Sequence, residues 1–384
     1  MRVLLVEPYH GGSHRAWAEG YAARSRHDVL VVTHEARFWK WRMHGSQVTL
    51  ATAADAALGG CPPDVVVVSA MTDVAGFVGL ARRCLAGAPV IAWFHESQFS
   101  YPPSPRDRPD LSYPLVNWTS AVAADAVVFN SEYHRRDFLA GARRLLRRFP
   151  DHRHGHLVDA VGDRSTVLPV GIDLARFARA EPREAGEPPL VVWNHRWEHD
   201  KDPDAFVAAI EALRSRGVRV RVAVIGERFV STPASLARLP GLLGEDLVEF
   251  GYVSDTRYAE LLRSADVVVS TARHEFFGVG VAEAIAAGAF PVLPDRLVYP
   301  ERIPEPLHRR CLYRDEEELV ELLARAVTEP PSPEERRALH DAVVDLDWSR
   351  VAPRYDAFVE DVVAARGDDR ARRRDPTNRS QHSP

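Results

Sequence analysis

Short apolar runs alternate with amphipathic stretches along this chain, and the alternation occurs twice. In the first half, residues 3–7, 29–33, 64–69, 89–94 and 126–130 read as strands, with candidate helices between them, for example at 13–25 and 73–85. The segment Val167-Leu168-Pro169-Val170-Gly171-Ile172-Asp173 closes that half. In the second, 190–193, 219–225, 247–250, 265–270 and 291–293 read as strands, and 316–326, 333–344 and 351–365 as helices. Repeated strand–helix alternation predicts parallel sheets with right-handed crossovers. Between the halves, residues 180–189 are rich in Pro and charge, the composition of a linker. The expected organisation is a first domain at 1–178, a linker at 179–189 and a second domain at 190–350. A last helix follows at 351–366, and the polar residues 367–384 lack the hydrophobicity to order.

At 384 residues the chain exceeds one hydrophobic core, which agrees with two domains. A hydrophobic share of 46% and a charged share of 27% are those of a soluble globular enzyme. No apolar stretch reaches membrane-spanning length, and the start is too short and too soon acidic for a signal peptide. Cys61, Cys84 and Cys311 form no Cys-x-x-Cys pair, so a reducing cytoplasm is the expected setting and structural zinc is not indicated. The net charge of -5 argues against a surface that binds polyanions everywhere, while leaving room for a local basic patch. Nothing in the sequence indicates an obligate protein partner.

Two constellations carry chemistry. Arg273-His274-Glu275-Phe276-Phe277-Gly278-Val279-Gly280-Val281-Ala282-Glu283 places two carboxylates around a Gly-containing turn that opens a helix. The backbone N–H groups of Phe277, Gly278 and Val279 can face phosphate or sugar oxygens, and Glu283 can accept hydrogen bonds from ribose hydroxyls. Alone, the run fits equally a helix with one Glu near its positive end and another on a solvated face. The second constellation follows an apolar run: Asn194-His195-Arg196-Trp197-Glu198-His199-Asp200-Lys201-Asp202-Pro203. Arg196 and Lys201 there sit in a strand-to-helix loop, where ligands of open α/β sheets gather, and can stabilise a diphosphate without a metal.

Arg/Lys followed roughly eighty residues later by Glu-x7-Glu resembles the C-terminal half of retaining glycosyltransferases of the GT-B fold, with two Rossmann-like domains facing each other across a cleft. More narrowly, Glu7-Pro8-Tyr9-His10-Gly11-Gly12-Ser13-His14, His95-Glu96-Ser97-Gln98, Phe129-Asn130-Ser131 and the long run from Trp193 to Pro203 resemble the tRNA-queuosine mannosyltransferase group. Ser97 stands where that group is expected to carry Asn. The resemblance implies transfer of mannose from GDP-mannose to queuosine in tRNA-Asp. It also implies a last helix that crosses back to the first domain and no cofactor beyond the nucleotide-sugar donor. The alternative is a GT-B enzyme using another nucleotide sugar and a small-molecule, lipid or protein acceptor.

Two rival motifs share the Arg196 loop. His195-x-x-Glu198-His199 matches an inverted zinc-peptidase pattern, which needs both His on one helical face. Asp202 is the natural N-cap and Pro203 the first helical residue, so the helix is expected to begin after that pair. Asp202-Pro203-Asp204 mimics a metal-binding Asp-x-Asp, but capping and first-turn roles explain both carboxylates. No metal site is expected.

The remaining candidates are graded by chemistry. Gly11 and Gly12 would let backbone approach the donor, and Ser13 can cap the first helix; a tight turn with a cap explains them equally. By the resemblance, His95 touches the donor sugar and Glu96 faces the acceptor hydroxyl, with Gln98 and Tyr101 close behind. Catalytic roles thus fall to Arg196, Lys201, Glu275 and His95. Gly226-Glu227 and Gly251-Tyr252-Val253, at strand ends, are candidates for lining the nucleobase pocket, Glu227 and Tyr252 foremost. Arg37-Phe38-Trp39-Lys40-Trp41-Arg42 interleaves aromatic and basic residues, which suits stacking on exposed bases and binding phosphates. A turn whose tryptophans pack inward is the other reading of Arg37, Trp39, Lys40 and Trp41. Arg143, Arg144, Arg147, Arg148 and Arg153 form either a solvated face or a contact for a tRNA backbone.

Overall fold

A computed structural model of the chain describes residues 1–102, 110–177, 186–227 and 232–374. They form two compact units, the first from residues 1–100, 110–171 and 348–374 and the second from 101–102 and the described part of 172–347. The first unit is built on a six-stranded sheet of β1 (Arg2–His10), β2 (Asp28–Glu35), β3 (Val65–Ser69), β4 (Val90–Phe94), β5 (Ala126–Phe129) and β6 (Ser165–Val167). Its strand order is β2-β1-β3-β4-β5-β6, and every pair is parallel. The Val-rich run of β3 is buried throughout, as a strand covered on both faces must be.

The second unit repeats the plan with β7 (Leu190–Trp193), β8 (Arg221–Ile225), β9 (Leu247–Gly251), β10 (Val267–Val269), β11 (Phe290–Pro294) and β12 (Leu312–Tyr313). The order is β12-β11-β10-β7-β8-β9, again parallel throughout. The chain runs outward from β7 to β9, then crosses to β10 and runs outward the other way. Between β7 and β10, therefore, the strand order reverses and the loops leaving the two strands diverge to opposite faces. Such a switch point, at the carboxyl ends, is where an open α/β sheet makes its crevice.

Three elements differ from the sequence expectation. The helix Trp39–Leu58 takes in most of the aromatic–basic segment, which therefore opens a helix rather than forming a free turn. The two-residue strand β12 is too short to show a period. The final helix runs Trp348–Arg374, beyond both ends of the expected 351–366, and residues 367–374 are helical where disorder was expected. Ala and Arg, both strong helix formers, dominate the sequence from 364 to 374 and carry the backbone past the end of the packed face. Residues 375–384 of the expected tail, and 179–185 of the expected linker, lie outside the described residues. The units divide at Gly171/Ile172, because Ile172 bridges to Asp347.

That last helix belongs to the first unit. The Trp348 indole lies so close to Gly20 that a Cβ there would come within 2.4 Å of it. Asp356, buried, accepts from Tyr21 Oη at 3.0 Å, Ser25 Oγ at 2.5 Å and the Arg26 N–H at 2.9 Å. A buried carboxylate with that many donors is satisfied rather than stranded. No helix among the described residues is long and apolar enough to cross a membrane.

Candidate active site

In the second unit, the loops after β7 and β10 are tied together before either reaches its helix. Trp193 Nε1 donates to Thr271 Oγ1 at 3.1 Å, Thr271 Oγ1 donates to the Lys201 carbonyl at 2.7 Å, and the Arg273 N–H donates to the Asp200 carbonyl at 2.7 Å. The helix Pro203–Ser215 then starts from Asp202, whose carboxylate accepts from the Ala205 N–H at 3.3 Å and pairs with Arg273 at 2.6 Å. Capping and that ion pair account for Asp202. His195 and His199 both precede this helix, so the two rings do not share a helical face.

Lys201 is the centre of the site. Its ammonium lies 2.6 Å from the His274 carbonyl, 3.0 Å from Asp200 Oδ2 and 3.4 Å from Glu275 Oε2, and the side chain is buried. Three acceptors match its three N–H bonds. Burial opposes the charge, but the carboxylates of Glu275 and Asp200 outweigh it, so the pKa rises above the ordinary lysine value. Burial likewise pushes Asp200 up, and Lys201 and then Arg196 more than reverse it, leaving Asp200 an anion at neutral pH. Arg196, with its side chain 44% exposed and 3.5 Å from Glu198 Oε2, is the more open of the two cations. Burial, followed by the nearby Lys201 charge, drops both His195 and His274 to about 4, so their imidazoles are neutral.

The two carboxylates of Glu-x7-Glu occupy different worlds. Glu275 Oε1 accepts from the N–H groups of Phe276, Phe277 and Gly278 at 3.1, 3.3 and 3.1 Å. Gly278, at φ 76, turns the chain left-handed so that those donors converge, a conformation that favours glycine. Burial raises Glu275, yet Lys201, His195 and those N–H groups overwhelm it and hold the carboxyl at about 2. The N–H groups of Phe277 and Gly278, expected to face the donor, are thus engaged by Glu275. Glu283, inside the helix Val279–Ala286, has no such cluster. Its Oε2 accepts from Tyr258 Oη at 2.7 Å, and burial lifts it to about 7 despite that bond. Elsewhere in this unit Glu227 offers its carbonyl to the Trp197 N–H at 3.0 Å, and Tyr252 is 76% exposed.

In the first unit, the loop after β1 is also at a strand-order switch, between β1 and β3. The helix Gly12–Ala22 starts from Gly11, with no side-chain cap, so Ser13 is already inside the helix and does not cap it as expected. The helix simply begins one residue sooner. His95 follows β4; its carbonyl accepts from Asn130 Nδ2 at 2.8 Å, and its ring stands 4.5 Å from both Trp17 and His14. Burial, then His14 and His134, keeps its pKa well below the usual histidine value, so the ring is neutral. Glu7, His14 and His95 bring one ligand-type atom each within 4.8 Å of one another, and the hydrogen bond from His14 Nδ1 to Glu7 Oε2 at 3.0 Å and the imidazole ring contact account for the grouping. Gln98 Nε2 donates to Glu96 Oε1 at 3.1 Å, while the Gln98 N–H donates to Asn117 Oδ1 at 2.8 Å. Tyr101 falls in the second unit, with its ring 5.1 Å from His274.

The aromatic–basic segment divides. Trp39 packs on Tyr113 at 5.2 Å with Lys40 Nζ 5.7 Å from its ring, whereas Phe38 and Trp41 are 76% and 63% exposed. The Trp41 indole lies along the helix over Gly45, where a Cβ would come within 2.5 Å of it. Arg37 stands beside Glu35 at 3.4 Å. Of the second basic run, Arg143 is paired with Asp159 and Arg153 bonds the Phe149 carbonyl, so both are at least partly committed. Sequence reasoning missed Asn194, Asp200, Tyr258 and His274 as parts of the site. Asn194 and Asp200 lie within the diagnostic run, but Tyr258 is one tyrosine in an ordinary amphipathic helix and carries no local signal.

Paired cations and carboxylates at the switch point of a parallel sheet, in one of two Rossmann-like units, fit a glycosyltransferase of the GT-B fold. A sequence model described as "Glycosyl transferases group 1" matches residues 175–342. Sucrose-phosphate synthase from Thermosynechococcus elongatus superposes with a TM-score of 0.68 at 16% identity, covering 95% of this chain and 100% of that one, which shows the shared fold. Residues 2–172 match the model "tRNA-queuosine alpha-mannosyltransferase N-terminal", and the Drosophila melanogaster tRNA-queuosine alpha-mannosyltransferase is 32% identical over 316 residues, 79% of this chain and 82% of that protein. The chain belongs to the tRNA-queuosine alpha-mannosyltransferase family. A GDP-mannose-dependent phosphatidylinositol dimannoside mannosyltransferase of Mycobacterium tuberculosis is 30% identical over 203 residues, 50% of this chain and 52% of its own length.

Proposed function

We propose that this protein transfers mannose from GDP-mannose to queuosine in tRNA-Asp, with retention of anomeric configuration and in the cytoplasm. The observation that carries the reading is the meeting of Lys201, Asp200 and Glu275 at the β7/β10 switch, with Arg196 beside them, in a chain of this family. The name of the mycobacterial relative supports the GDP-mannose donor.

In this reading the leaving diphosphate is neutralised by side chains and needs no metal. Arg196, the more exposed of the two cations, meets it directly, because a guanidinium forms charge-assisted hydrogen bonds with phosphate oxygens. Lys201 sits behind, and donor phosphates compete with Asp200 and Glu275 for its charge. Glu275 faces the mannose hydroxyls and Glu283 the ribose; Gly11, Gly12, Ser13 and His95 are the first unit's own candidates for donor contact. Glu227 and Tyr252 line the nucleobase side. Attack comes from the same face as departure, through an oxocarbenium-like transition state, and the departing diphosphate takes the acceptor's proton. The protein contributes orientation and charge stabilisation rather than a nucleophile. Glu96, Gln98 and Tyr101 serve the acceptor. Arg37, Trp39, Lys40 and Trp41 hold the tRNA, with Trp41 offering the open stacking face.

Mass spectrometry of tRNA nucleosides from the host, with and without this gene, tests the assignment. The reading predicts a hexosyl-queuosine that disappears with the gene. A host whose tRNA holds queuosine but no hexosylated form would contradict it.

A further inference from the structure

Glu283 is reached by a chain of hydrogen bonds whose direction is fixed. Asn194 Nδ2 donates to the Gly280 carbonyl at 2.8 Å and to Tyr258 Oη at 3.1 Å. A carbonyl only accepts, so the Asn194 amide nitrogen must face this side. Both of its N–H bonds are then used, and the oxygen of Tyr258 is an acceptor toward Asn194. The single phenolic proton is left for Glu283 Oε2, 2.7 Å away. Close approach makes the chain possible: a Cβ on Gly280 would stand 2.8 Å from Asn194 Nδ2 and 3.2 Å from the Asn194 carbonyl oxygen. At the far end, Asn194 Oδ1 is buried without a hydrogen-bond partner among the described residues. A buried acceptor left bare is uncommon, and a hydroxyl or N–H of a bound nucleoside would satisfy it.

We propose that Asn194 and Tyr258 are positioning residues that hold Glu283 as an oriented carboxylate for the ribose hydroxyls of the donor nucleotide. The inference deepens the nucleotide-sugar reading of the second unit and rests on it. Glu283 needs such help because burial works against its charge, and its pKa of about 7 leaves it on the edge of protonation in neutral solution. The other charged groups facing it are Arg176, from the turn Leu174–Phe177, which favours the carboxylate, and Asp255, at the start of the helix Asp255–Ser264, which opposes it. Arg336, from the helix Pro333–Val344, bonds the Gly288 carbonyl beyond the other end of the Glu283 helix. Tyr258 is the group that donates a hydrogen bond to Glu283 among these.

Calorimetric binding of GDP across the neutral pH range tests the role in wild type, Tyr258→Phe, Glu283→Gln and the double variant. Phenylalanine keeps the ring and removes only the hydroxyl. The expected result is a wild-type affinity that weakens as pH falls through about 7, and a Tyr258→Phe curve displaced to higher pH, roughly tenfold weaker at neutrality. In the Glu283→Gln background the Tyr258→Phe change should add nothing, since the carboxylate it serves is gone. A Tyr258→Phe protein that binds GDP as wild type does at every pH, or whose loss simply adds to that of Glu283→Gln, overturns the positioning role. A wild type that binds no GDP overturns the donor reading itself and this inference with it, a different signature from failure of Tyr258 alone.

Discussion

Glu275 and Glu283 are the same residue type, eight positions apart, and their environments drive them in opposite directions. Glu275 faces a lysine ammonium and three backbone N–H groups and is held at about 2; Glu283 faces a tyrosine hydroxyl within a buried helix and rises to about 7. The first is part of a permanent ionic lattice. The second is an acceptor whose charge depends on solution conditions. The lesson is that spacing in a motif identifies the residues, whereas the neighbours decide what each carboxyl can do.

The largest effect should come from breaking the lattice. Lys201→Met leaves the carboxylates of Asp200 and Glu275 without their cation, and removing one partner of a buried ion pair commonly destabilises by about 3–5 kcal/mol. Thermal denaturation should show a large drop in melting temperature, and single-turnover transfer should be lost. A variant that melts with wild type would mean the lattice is not ionic. Arg196→Ala comes next. Its side chain is 44% exposed, so stability should fall far less than in the Lys201 variant while turnover falls by on the order of a hundredfold.

The pH dependence sharpens the contrast between the two acids. A carboxylate with a pKa near 7 is lost as an acceptor below that value, so donor affinity should be full in mild alkali and fall by about tenfold per unit toward acid. Glu283→Gln should abolish that acid limb, whereas Glu275→Gln should weaken turnover equally at all pH values near neutrality, because Glu275 stays ionised throughout. An acid limb that survives Glu283→Gln would assign it elsewhere. The smallest effect concerns the acceptor: Trp41→Ala should weaken tRNA binding by roughly tenfold, the worth of one stacked base, without altering GDP affinity.

Much of this was legible in the residues. Strand–helix alternation marked both sheets, because buried parallel strands read as unbroken apolar runs such as Val65 to Val68. Asp202 and Pro203 announced the helix start through local capping chemistry. The helix Trp39–Leu58 was missed because its sequence carries no clear apolar stripe, and Ser13 misled because Gly11 can begin a helix without any side chain. What lay out of reach was tertiary. No spacing could reveal that the Lys201 ammonium is saturated, or that Tyr258 reaches Glu283 from a separate helix. Those facts depend on which loops the β7/β10 reversal brings together.

The most direct measurement is transfer by the purified protein from GDP-mannose to tRNA that carries queuosine, with the product nucleoside resolved by mass spectrometry and its anomeric centre by NMR. The account predicts a single mannose in α linkage on queuosine and none on tRNA lacking it. Transfer to queuosine-free tRNA, a β-linked product, or no transfer at all would contradict it.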